Sequence, residues 1–99
     1  MDYVKVRWLH QHASEPILLL SELDAERYEV RKVEVFADGH MGFASDHQTS
    51  GHTVLGERPV PPAADIAADP EFVIEGLDGR EFEMAWRAAL TGSRWKLQA

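Results

Sequence analysis

The stretch that most constrains this chain is residues 27–45, RYEVRKVEVFADGHMGFAS. Asp38-Gly39 divides it into two apolar-patterned arms, Val30 to Phe36 and Met41 to Ala44. Asp-Gly suits a two-residue type I′ turn, because both central residues of that turn need positive φ. The stretch therefore reads as a β-hairpin. A two-residue loop sets Phe36 opposite Met41 and puts Phe43 on the same face, an aromatic–thioether cluster that reads as core. The spacing from Val30 to Val33 breaks strict alternation. It calls for a bulge at Arg31-Lys32 or for cover on both faces.

The rest of the chain arranges itself around this hairpin. Tyr3 to His10 alternates, with Val4, Val6 and Trp8 on a core face and Tyr3, Lys5, Arg7 and Leu9 on an amphipathic one. Gln11 to Pro16 is a turn by composition. Ile17 to Leu20 is a run of consecutive apolar residues. Its brevity favours a strand antiparallel to the first, buried on both faces. Ser21 to Glu26 reads as a polar connection. After the hairpin, Ser45 to Thr53 reads as an exposed, mobile loop and Val54-Leu55 as a short edge strand. Arg58 to Pro62 should run in polyproline II form and cover a sheet edge, because proline lacks an amide donor and fixes φ. Ala63 to Ala68 follows as a short helix, and Phe72 to Ile74 as a last short strand.

Leu77 to Phe82 is a well-formed helix start. Asp78 is the N-cap and Glu81 stands at N3, while Leu77 and Phe82 make a hydrophobic staple. The helix runs to about Thr91, where Gly92 supplies the left-handed C′ residue. Phe82, Ala85, Trp86, Ala89 and Leu90 share one face. The fold class that emerges is α+β: an antiparallel sheet of four to five strands with the C-terminal helix packed on one face. The domain spans residues 1–92, and 93–99 form a tail with an exposed or loosely packed Trp95.

Composition bounds the function. The chain has 99 residues, enough for one domain, and no cysteine, so disulfides, thiolate zinc sites and cysteine nucleophiles are excluded. No apolar run reaches about 18 residues, which argues against a membrane span and for a cytoplasmic location. Acidic residues outnumber basic ones 17 to 10, for a formal charge of −7. That balance disfavours nucleic acid and favours a basic protein as partner.

VKVRWLH at 4–10, EPILLLSELD at 15–24, YEVRKVEVFADGHMGFA at 28–44, LGERPVPP at 55–62, DPEF at 69–72 and EFEMAW at 81–86 give a further lead. Together they resemble a family of small acidic bacterial proteins that is a domain of unknown function. The resemblance implies a bacterial, single-domain protein. It implies no activity, cofactor or catalytic residue.

Reactive groups are few. His10 and His12 stand two apart and point the same way on a continuing strand. They are candidate metal ligands, with His47, Asp46 or His52 to complete the shell, though the spacing matches no recognised zinc pattern. Ser45 or Ser50 beside His47 or His52 lacks a nucleophile elbow, and no Gly-rich phosphate loop or other cofactor motif occurs. An enzyme is therefore not favoured. Glu29, Arg31, Lys32 and Glu34 alternate in charge on the central strand, which makes Glu29, Arg31 and Glu34 candidate partner-binding residues. The leading expectation is a small acidic protein-interaction module. One form of it is an immunity-type protein that neutralises a basic partner by covering it with acidic surface. The alternative is a metal- or small-molecule-binding domain that uses the histidines.

Protonating the five histidines takes the formal charge from −7 to −2, and the pI is about 5.1. Charge repulsion between copies then largely disappears. A turbidity scan should show precipitation as pH falls towards 5. A clear solution throughout would contradict this.

Overall fold

The computed structural model describes residues 1–95. The chain runs through β1 (Asp2–Trp8), β2 (Leu18–Leu23), β3 (Glu29–Val35), β4 (Met41–Ala44), α1 (Ala63–Ala67), β5 (Phe72–Glu75) and α2 (Gly79–Leu90). The strands form one antiparallel sheet in the order β4-β3-β2-β1-β5. The expected α+β class holds, with five strands and α2 against one face.

The central hairpin forms, but with a different turn. The Phe36 amide donates to the His40 carbonyl (2.9 Å) and the Gly39 amide donates to the Phe36 carbonyl (2.9 Å). Gly39 has φ +90°, whereas Asp38 is not in the left-handed region. This is a three-residue connection, a type I turn closed by a left-handed glycine, rather than a type I′ turn. Its extra residue shifts the register, so that Val35 and not Phe36 stands opposite Met41. Phe36 turns to the other side and stacks on His40, with centroids 4.3 Å apart. Trp95, expected to be exposed or loose, is half-buried against the core, and its amide donates to the Gly39 carbonyl (2.7 Å). Of the expected tail, residues 96–99 lie outside the described residues.

Two further expectations change. β2 does not stop at Leu20. It continues through Ser21 and Glu22 to Leu23, all buried between two neighbouring strands. The irregularity expected at Arg31-Lys32 falls one residue earlier. Glu22 pairs with Arg31 and Leu23 with Glu29, which leaves Val30 as the extra residue.

Register decides what α2 covers. Leu18, Leu20 and Glu22 stand opposite Val35, Val33 and Arg31, and Val33 and Val35 stand opposite Phe43 and Met41. Opposed residues share a face, so these side chains form the floor beneath the helix. Phe82, Ala85, Trp86 and Ala89 close that floor from α2. Leu90 is 41 % exposed, because it lies about 80° round the helix from Phe82 and so at the margin of the stripe. The helix is bounded as expected. The Asp78 side chain accepts from the Glu81 amide (2.8 Å). At the other end, Ser93 and Gly92 amides return to the Ala88 and Ala89 carbonyls (2.9 and 3.2 Å), with Gly92 at φ +74°. The residues of β1 beneath this face are Tyr3, Lys5 and Arg7, so Val4, Val6 and Trp8 are not the row that α2 covers. The helix contacts β2, β3 and β4, and the longest apolar rows there lie on Tyr3's side.

One cation is built into this interface. Arg31 donates to both oxygens of Glu22 (2.7 and 2.8 Å) and to Glu83 on α2. Its guanidinium carbon lies 5.0 Å from the Phe82 ring centroid and 5.2 Å from that of Trp86. The Tyr3 hydroxyl donates to Glu22 (3.0 Å), and the Tyr3 and Phe82 ring centroids are 5.6 Å apart. The bonds from Arg31 hold the Glu22 and Glu83 carboxyls below the usual glutamate range, and the bond to Glu22 raises the Tyr3 phenol above its usual value.

A carboxylate with a depressed folded-state pKa stabilises the fold above its unfolded pKa and loses that contribution as pH falls. Glu83 is nearly half exposed, so most of the effect belongs to Glu22, which is 6 % exposed. Glu22→Gln should lower stability at pH 7 by about 2–4 kcal/mol, since it leaves a half-buried guanidinium short of a partner. The variant's stability should also fall less steeply than the parent's below pH about 4.5. Denaturant melts at neutral and acid pH check both effects, and an unchanged acid slope would contradict the assignment.

Candidate binding groove

The sheet's second face carries Val4, Val6 and Trp8 from β1, Leu19 and Ser21 from β2, and Phe72 and Ile74 from β5. The chain has to pass from β4 at one edge to β5 at the other, and it does so over this face. Side chains of β3 fasten the crossing. The Thr53 hydroxyl donates to Glu34 (2.7 Å), Lys32 donates to the Val54 carbonyl (3.1 Å) and the Gly56 amide donates to Glu29 (2.6 Å). Thr53 is thus 3 % exposed, although its loop reads as polar and open. Val54-Leu55 forms no strand.

The proline segment lies over the sheet face, not along an edge. Arg27 ties it down. The Val60 amide donates to the Arg27 carbonyl (2.8 Å), and the Arg27 guanidinium donates to the carbonyls of Val60 (2.9 Å) and Pro61 (2.8 Å). Arg27 itself sits at φ +68° in the β2–β3 turn. That conformation costs a non-glycine residue on the order of 1 kcal/mol, and the three bonds to the strap offset it.

The crossing covers the β3 side of this face and leaves a trough of about 540 Å³ over β1 and β2. Val4, Val6 and Leu19 form its floor; Ile66 of α1, Phe72 and Val60 form its walls. All six are half-buried, whereas Leu20, Val33 and Val35 on the opposite face are fully buried. A concave, mainly apolar site of this volume with a few polar groups is the usual form of a binding pocket.

Three carboxylates, Glu29, Asp65 and Asp69, line the trough, and no lysine or arginine does. Glu29 is engaged: it accepts from Ser21 (3.0 Å) and Gly56 and lies 3.2 Å from Lys32. Asp65 and Asp69 are exposed and have no cationic partner among the described residues. The cations elsewhere are largely occupied. Lys5 and Arg7 pair with Glu75 on β5 rather than with β3, and Arg94 pairs with Asp38.

Of the partner-binding candidates, Glu29 lines the trough and Arg31 and Glu34 do not, and all three are held by their own chain. Arg31 lies under α2, while Glu29 and Glu34 fasten the crossing. Of the metal candidates, His10 and His12 are adjacent, with ring centroids 5.7 Å apart. Both nitrogens of His10 are in use: Nε2–H donates to the Pro16 carbonyl (2.8 Å) and Nδ1 accepts the His12 amide (2.9 Å). His47 is 86 % exposed beside Asp46 on the turn after β4. Among the described residues, no three His, Asp or Glu side chains are placed to hold a metal ion. Asp65, Asp69 and Ile66 carried no sequence motif. The only pointer to them was an apolar row on β1 together with an amphipathic turn far along the chain.

Among the described residues no helix is long and apolar enough to cross a membrane. Neither the curated proteins nor the solved structures contain a match to the chain. A family model does match it over residues 2–91, and its description is Domain of unknown function (DUF6881). That span is most of the chain, which therefore belongs to this family of unknown function.

Proposed function

We propose that this protein is a small acidic interaction module that binds a basic protein partner through the trough face. The observation that carries the reading is an imbalance. Among the described residues most cations are spent on internal carboxylates and carbonyls, while Asp65 and Asp69 stand without a cation beside half-buried apolar side chains. Unpaired like charges around an apolar patch suit a partner of opposite charge and suit neither nucleic acid nor another acidic surface. An immunity-type role, in which the module covers a basic toxin in a bacterial cytoplasm, is the most concrete form of this reading. A net charge of −7 would speed such an encounter by electrostatic steering.

The test is affinity capture with the tagged protein as bait, eluted at about 50 and then about 300 mM salt, a range over which screening shortens electrostatic reach. One stoichiometric basic protein, released at the higher salt and not retained by an Asp65→Lys/Asp69→Lys bait, is the expected outcome. No partner at either salt, or a partner indifferent to the double substitution, would overturn the reading.

A further inference from the structure

We infer that the trough takes a short amphipathic segment of that basic partner, in which an apolar side chain neighbours a lysine or arginine. The inference rests on the basic-partner reading and specifies what the surface recognises. The floor of Val4, Val6 and Leu19 offers apolar contact and no hydrogen-bonding side chain. A purely cationic ligand would leave it wet and gain little. The wall at and just after α1 offers Asp65 and Asp69, so a purely apolar ligand would desolvate two carboxylates that have no cationic partner among the described residues, the Asp69 carboxylate accepting only from the Glu71 amide (2.9 Å).

A segment with both features satisfies both walls. Lysine and arginine suit the geometry further, because their aliphatic stems lie along apolar surface while the charged head stays at the rim. Glu29 adds no unmatched charge, since Lys32 lies 3.2 Å away. Discrimination by charge therefore falls to Asp65 and Asp69. Ser21 beside the floor is buried and its hydroxyl donates to Glu29, so these two polar groups are engaged with each other.

The experiment uses calorimetric titration of the full chain with a capped seven-residue peptide that alternates leucine and lysine. Two companions replace lysine by glutamine or leucine by serine. The parent peptide should bind, and each companion should bind about tenfold more weakly or worse, as expected when a charge-assisted contact or an apolar anchor is lost. Asp65→Asn/Asp69→Asn should weaken the parent peptide by a similar factor. Glu15→Gln/Glu26→Gln, at exposed acids away from the trough, should change it less than about twofold at moderate salt. All four positions are exposed, and unchanged melting temperatures verify that folding is not in question.

Equal losses from the two double variants would mean diffuse attraction and overturn the trough assignment while leaving the basic-partner reading intact. So would a captured basic partner combined with no binding of the leucine–lysine peptide. Binding of hexylammonium as tight as that of the peptide would replace the protein segment by a small amine as occupant.

Discussion

A guanidinium taken partly out of water destabilises a fold unless its charge is met, and Arg31 meets two carboxylates and two aromatic rings. Strand alternation places it in the row of Val33 and Val35, where an apolar side chain would be ordinary. Glu22 from the neighbouring strand takes two of its N–H groups, Glu83 from the helix takes another contact, and the Phe82 and Trp86 rings cover its plane. These partners come from two separate segments, β2 and α2, and meet on a third, β3. They are satisfied together only when β2, β3 and α2 adopt one register, so the network acts as a specificity element as much as a source of stability. It fixes which face of the sheet the single long helix covers.

The rest of the architecture follows from that assignment. With α2 committed to the row of Leu18, Leu20, Val33 and Val35, the opposite row on β1 and β2 has no long helix to cover it. The connection from β4 to β5 serves instead. It is held by one hydrogen bond each to Glu34, Lys32 and Glu29 and by three to Arg27, and its only helix is five residues long. Such a cover reaches across β3 but cannot fill the space over β1. The incomplete second core is the trough, with Asp65 of α1 and Asp69 just beyond it in its lining. Structure and proposed function thus share one origin: one face is closed by packing, the other is strapped and left partly open.

What the sequence reveals of this is local. The hairpin, the Asp78 cap and the Gly92 terminus are each written within a few residues, and each forms. Turn type is less legible, since Asp-Gly suits both a two-residue loop and the last two positions of a three-residue one. β2 reads as ending at Leu20 because Ser21 and Glu22 are polar. Their burial depends on Glu29 and Arg31, partners that only the fold brings close. The same long-range dependence hides the roles of Glu29 and Glu34, whose alternating charges look like an open polar surface and instead anchor the crossing. The trough was the least legible feature. Its floor on β1 and β2 and its acids Asp65 and Asp69 lie far apart in sequence, and neither segment by itself points to the other.

The two faces are secured unequally, one by packing around Arg31 and the other by a few hydrogen bonds to the strap. Native-state amide hydrogen exchange measures that difference residue by residue. The amides of Leu20, Val33 and Trp86 should exchange only through global unfolding. The amides of Gly56 and Val60, bonded to Glu29 and Arg27, should exchange through local opening at least about a hundredfold faster. Protection at Gly56 and Val60 equal to that of the three core amides would contradict the account, because the strap would then be as firmly closed as the helix face.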